Sequence, residues 1–262
     1  MHLAFQHDSG QALDNQGRLY VVLARQYSLG HIAIVGGIYQ ISAYRRFYTT
    51  AFPATENPIS QSASWINAGT TGLDWTDIRT TAGLAYGTQT GHSSSPPYND
   101  SIAILTGAWG PRQTVFGTVK TINQKTGSGP SDTYEEVELW LRASISANRA
   151  TGYEINFRCL KDGSNTWYQG VGRWNGPLND FTDLDPGGAI GPGIADGDVV
   201  MAAITGNLIT IHINGTYLKT VDVTGQGGAI HTVGAPGLGH WYQGTTGALD
   251  DYGFTSYTAM SE

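Results

Sequence analysis

Alternation of apolar and polar positions, rather than a helical period, organises most of this chain. In DTYEEVELWLRAS, Asp132 to Ser144, Val137, Leu139 and Leu141 fall on one side of an extended strand, while Glu136, Glu138, Trp140 and Arg142 fall on the other. The same rhythm returns in LAYGTQTG, DSIAILTG, RQTVFGTVKTI, GYEINFRCL, TWYQGVGRW, DVVMAAITG, NLITIHING, TYLKTVDVT, PGLGHWYQ and ALDDYGFTSYTA. These segments recur every ~8–14 residues with turn signals between them. The pattern predicts an all-β fold, an antiparallel two-sheet jelly-roll β-sandwich, with very little helix.

The first part of the chain reads differently. LYVVLARQYS and HIAIVGGIYQIS form two apolar runs that suit a hairpin, RRFY leads out of them, and from about Thr49 the text becomes turn-rich. We therefore expect an N-terminal strand appendage over 1–48 and the sandwich over 49–262. A two-stranded unit is marginal alone, so the appendage is expected to pack on the sandwich or on a second copy. His31 to Ile41 is glycine-broken and shorter than the ~20 apolar residues of a spanning helix, which argues against membrane insertion. Leu19 to Ile38 lacks a basic start, so no recognisable signal peptide is expected.

Two hairpins are legible in the sandwich. Asn214-Gly215, between ITIHI and TYLKTVDV, is the preferred type I′ pair. With Asp162 to Asn165 as a second loop, Tyr153 is expected opposite Trp174, Phe157 opposite Gly170, Glu154 opposite Arg173 and Arg158 opposite Gln169. That register places Tyr153 and Trp174 in the core. If 145–151 connect the opening stretch to this hairpin, Glu138 pairs with Arg158 and Arg142 with Glu154, a charge lattice in which each pair contributes about 0.2–1 kcal/mol.

Composition narrows the partners. The formal net charge is −7 and no Lys/Arg run occurs, so neither nucleic acid nor an anionic membrane surface is expected as a partner. One cysteine, Cys159, excludes an internal disulfide and a cysteine metal cluster. His31, His92, His212, His231 and His240 show no HExxH and no close pair, so structural roles are expected rather than zinc.

The stretch IADGDVVMAAITGNLITIHINGTYLKTVDVT, followed by GAPGLGHW and GTTGALDDYGFTSY, resembles the closing strands of concanavalin A-like lectin/glucanase jelly rolls, including laminin G-type domains. The resemblance covers about residues 50–262 and implies two stacked sheets with a ligand face. It also implies that Asp250 or Asp251 helps hold a structural calcium ion, which takes several oxygen ligands. No other cofactor is expected.

The expected function is a non-catalytic carbohydrate-binding or adhesion module, extracellular or on a cell or virion surface, with a polysaccharide or glycan as partner. Flat rings beside hydrogen-bonding groups suit sugar rings, and the expected platform is Glu136, Glu138, Trp140, Arg142, Asn156, Arg158 and Trp167. A glycoside hydrolase using Glu136 and Glu138 is one alternative. Retaining glucanases that share the resemblance carry E-x-D-x-x-E on one strand, whereas here Trp140 stands where an acid would follow. An alginate-lyase-type lyase is another, with Arg142 and the run Thr210 to His212 as loose equivalents of its Arg and Gln-x-His strands. A third arises because AFQHDSGQALDNQGRLYVVLA resembles openings of phage tail and baseplate proteins: a phage or filament subunit that self-associates through residues 1–48.

Overall fold

The computed structural model describes residues 11–13, 19–21, 46–72, 75–89, 100–122, 134–159, 169–177, 180–186, 193–243 and 249–262. The chain divides into two compact units, Met1–Tyr44 and Arg45–Glu262. In the first, β1 (Gln11–Leu13) pairs antiparallel with β2 (Leu19–Val21). Leu19–Val21 is thus a strand, but its partner is the polar lead-in, and HIAIVGGIYQIS lies outside the described residues. The boundary falls earlier than the expected 48/49, because β3 (Arg46–Thr50) pairs with the last strand of the sandwich, β17 (Tyr252–Ser261).

The larger unit has two antiparallel sheets. One has seven strands in the order β12 (Phe181–Asp183), β11 (Gln169–Gly176), β10 (Arg149–Arg158), β9 (Tyr134–Ser146), β16 (Ala235–Gln243), β7 (Ser101–Leu105), β4 (Trp65–Asn67). The other runs β15 (Thr216–Asp222), β14 (Leu208–Ile213), β13 (Val199–Thr205), β8 (Gln113–Thr121), β17, β6 (Leu84–Gly87), β5 (Ile78–Thr81), with β3 beside β17. Late strands insert beside early ones, β16 next to β9 and β17 next to β8, as jelly-roll crossovers require. Among the described residues the helical elements are 3-10 turns at Gly69–Thr71 and Leu249–Asp251, and no helix is long and apolar enough to cross a membrane.

Alternation places the core between the sheets. Val137, Leu139, Ile155, Phe157 and Val171 face Val115, Val119, Ile204, Phe254 and Tyr257, all essentially excluded from water. Burying each of the larger side chains contributes about 1.5–3 kcal/mol. His240 settles which face points inward: it packs edge-on against Tyr252 and Phe254 at 5.9 and 5.5 Å and sits opposite Val137. Glu136, Glu138 and Trp140 therefore look away from the second sheet. Asn214 and Gly215 have φ of 53° and 76°, as the expected I′ turn between β14 and β15 demands.

Two expected registers are displaced. On β11 the shift is one residue: Gly152 faces Trp174, Tyr153 faces Arg173, Ile155 faces Val171 and Phe157 faces Gln169. The observed register buries Val171 against Ile155, where the expected one would have buried Gly172; a single-residue slip moves every side chain to the other face. Trp174 thereby leaves the interior layer and joins Glu154. On β9 the shift is two residues, which keeps the face but changes partners: Glu136 faces Arg158, Glu138 faces Asn156 and Trp140 faces Glu154. The strands run on through most of 145–151 and turn at Ala147-Asn148.

A bulge ends the regular alternation at Arg142. Leu141 pairs with Tyr153 and Ser144 with Thr151, so Arg142 and Ala143 together oppose the single Gly152, and Arg142 takes φ 49°. A Cβ on Gly152 would approach the Ala143 Cα to 2.7 Å, and one on Gly234 would lie 2.3 Å from the Arg142 carbonyl carbon. Glycine at both positions is what lets neighbouring backbone close around the bulge.

Candidate functional site

The outward face of β9 and β10 carries an ordered polar row. The Arg158 Nε donates to Glu136 Oε2 at 2.7 Å, and the guanidinium carbon stands 5.7 Å from the centre of the Trp241 ring. One step along, the Trp140 Nε1 donates to Glu138 Oε2 at 2.9 Å. Across the sheet, the Trp174 Nε1 donates to Glu154 Oε2 at 2.5 Å, and the Gly170 amide donates to Asn156 Oδ1 at 2.6 Å. Gly239 on β16 faces Glu138, and a Cβ there would fall 2.1 Å from Glu138 Oε2 and 2.8 Å from the Trp140 Nε1. Close seating of that carboxylate and indole needs a residue without a side chain.

Three indoles meet over this row. Trp75, on a segment hydrogen-bonded alongside the start of β7, lies 4.5 Å from Trp174 and 5.8 Å from Trp140, edge to face in both cases. Trp140 and Trp174 stack at 6.4 Å, and Phe181 on the edge strand β12 extends the group, 5.3 Å from Trp174 and 43% exposed. The indoles themselves are buried. A Cβ at Gly172, which faces Glu154, would meet nothing within 4 Å among the described residues, so the row opens there between Phe181 and Asn156.

Beneath the indoles, Asp100, Glu138 and Glu154 converge: one oxygen of each lies within 4.8 Å of the others. Burial is the main force on all three, and it pushes their carboxyls above the usual range. Negative neighbours add to it for Glu138 and Asp100. Glu154 rises to about 8, with Glu136 adding to burial and the Trp174 and Asn156 hydrogen bonds and Arg158 opposing it. The group can hold protons at neutral pH or share a cation.

Of the expected platform, Glu136, Glu138, Trp140, Asn156 and Arg158 share this face. Arg142 does not: the bulge turns its guanidinium to the Pro111 and His231 carbonyls, at 2.8 and 3.0 Å, beside Tyr153. Trp167 lies outside the described residues. The expected calcium residues, Asp250 and Asp251, occupy the 3-10 turn before β17, where the Ile122 amide donates to the Asp251 carbonyl. Among the described residues no third acid, histidine or cysteine joins them in a cluster. Glu154, Trp174, Asp100, Trp75 and Phe181 were absent from the expected platform. Alternation with Asn156 and Arg158 marks Glu154 in the sequence; Trp174 was hidden by the register, and Asp100 and Trp75 reach the site from outside regular strands, where spacing carries no signal.

No family model matches the chain, and no curated protein matches it in sequence. Solved structures do match in fold. A Bacillus subtilis protein of unknown function with a galectin-like fold superposes with a TM-score of 0.50 at 11% identity, over 82% of this chain and 94% of that one. A GlcNAcα1-4Gal-releasing endo-β-galactosidase from Clostridium perfringens gives 0.49 at 10% identity, covering 81% and 61%. The carbohydrate-binding module CBM66 from Bacillus subtilis gives 0.45 at 12%, covering 78% and 96%. The architecture is that of the concanavalin A-like jelly rolls, as the closing strands led us to expect.

Proposed function

We propose that the protein binds a glycan, without cleaving it, on the outward face of the seven-stranded sheet. The observation that carries this reading is the strip from Phe181 past the step at Gly172 to Asn156 and Arg158: a partly exposed ring, a position where an added Cβ would meet nothing within 4 Å among the described residues, and hydrogen-bonding groups fixed by their neighbours. Phe181 stacks on a sugar face, and Asn156 and Arg158 bond hydroxyls. Two facts speak against turnover by the β9 glutamates. Glu136 is bonded to Arg158, and Glu138 is fully buried and bonded to Trp140. An extracellular or surface location and an adhesive role go with this reading.

One observation favours a second reading. The Glu138 and Glu154 oxygens, within 4.8 Å, come near the separation of about 5–5.5 Å between the carboxyls of a retaining glycoside hydrolase, and Glu154 holds its proton to about pH 8. The experiment that separates the readings is retardation of the intact chain in native gels cast with soluble polysaccharides, with reducing ends measured in parallel. Retardation without new ends is expected; new ends that disappear in Glu154→Gln would replace binding by hydrolysis.

A further inference from the structure

We infer that Asp100, Glu138 and Glu154 together hold a hard divalent cation, of the calcium type, on the outward face of the seven-stranded sheet. Their oxygens lie within 4.8 Å of one another. Oxygens that close can share one ion, since two ligands of a calcium ion, each about 2.3–2.6 Å away, stand at most about 5.2 Å apart. The donor set is oxygen alone, which suits calcium, magnesium or manganese better than zinc or copper.

Acidic groups gather on many proteins that bind no ion; here one unsatisfied buried atom belongs to the cluster and another lies on an indole packed against the indoles that donate to it. Glu138 is fully buried; its Oε2 accepts from Trp140, while its Oε1 has no partner. Independently, the Nε1 of Trp75, packed against Trp140 and Trp174, is buried with no acceptor. Buried polar atoms without partners are costly, and a hydrated cation answers both kinds: the metal takes a carboxylate lone pair, and a coordinated water offers an oxygen to an N–H. No lysine, arginine or histidine forms an ion pair with the three carboxylates among the described residues. Arg158, whose charge reaches Glu154, is bonded to Glu136. The open step at Gly172 leaves room for water beside Glu154.

The inference goes beyond the glycan reading, because ion uptake is measured with no sugar present. The intact chain is stripped with chelator, dialysed and titrated with terbium as a calcium surrogate, exciting the indoles and reading terbium emission; calcium is then titrated by calorimetry. One saturable site per chain is expected, with sensitised emission that calcium displaces. Glu138→Gln and Asp100→Asn, each checked for a cooperative melt, are expected to weaken uptake at least tenfold, and the double change Asp250→Asn, Asp251→Asn to leave it unaltered. If Glu138→Gln fails to fold, Asp100→Asn carries the comparison. No saturable uptake by the natural chain overturns the inference, as does uptake that survives in the folded cluster variants or vanishes with Asp250 and Asp251.

Discussion

Two glycines on one face of the sheet make opposite predictions for the same chemical change. At Gly239 an added methyl would stand 2.1 Å from Glu138 Oε2 and 2.8 Å from the Trp140 Nε1, so Gly239→Ala must push a buried carboxylate off its indole donor. Overpacking costs about 1–3 kcal/mol. The weakened buried hydrogen bond adds about 1 kcal/mol. The lower chain entropy of alanine returns about 0.5–1 kcal/mol. The net loss is about 1–3.5 kcal/mol, or a fall in Tm of roughly 2–14 °C at this size. At Gly172 the methyl meets nothing within 4 Å among the described residues, and φ lies outside the left-handed region that favours glycine. Gly172→Ala is therefore expected to be neutral or to gain up to about 1 kcal/mol. Urea unfolding of both variants and the natural chain, at neutral pH with chelator, measures the contrast. Equal losses in the two variants, or a loss under about 0.5 kcal/mol at Gly239, would refute the packing described for Glu138 and Trp140.

Glu154 keeps its proton to about pH 8 when folded but to about 4.5 when unfolded, so its contribution to stability is complete below the lower value and is lost as pH rises through the higher one. At about 1.4 kcal/mol per pH unit this amounts to at most about 5 kcal/mol. Glu154→Gln in chelator should flatten the stability profile between pH 5 and 8, and thermal melts with the same slope as the natural chain would contradict this. Arg158→Met strands the buried Glu136 carboxylate at an expected cost of about 2–4 kcal/mol, reduced from the fully buried case because Arg158 is partly exposed. Adding Glu136→Leu should recover most of that loss, and a double-mutant cycle with no coupling would count against the pair. Gly152→Ala forces a Cβ to 2.7 Å from the Ala143 Cα at φ 137° and should lower stability by about 2–4 kcal/mol; a neutral result in urea unfolding would remove the bulge from the account.

How far the sequence could be read depended on the kind of information each feature uses. Strand existence follows from local alternation, so β6 to β11 and β13 to β17 were legible, as was the Asn214-Gly215 turn. Pairing depends on loop length and on what each register buries, and burial of Val171 against Ile155 decided β11. That single slip concealed Trp174 as the partner of Glu154. Arg142 was misplaced because alternation cannot foresee a bulge, although Gly152 and Gly234 are the residues that permit it. Glu136, Glu138, Trp140, Asn156 and Arg158 were placed on one face correctly, since a shift of two residues preserves the face. Asp100 and Trp75 reach the site through tertiary folding alone.

The most direct test of glycan binding is an affinity measurement, by calorimetry or quantitative gel retardation, with any polysaccharide that slows the intact chain. The natural protein is compared with Phe181→Ala and with Gly172→Trp, which fills the open step. Phe181 is 43% exposed and a Cβ at Gly172 would meet nothing within 4 Å among the described residues, so both variants should melt near the natural Tm. The account predicts at least tenfold weaker binding in each with folding intact. Undiminished affinity in both variants, or no retardation by any polysaccharide, would contradict it.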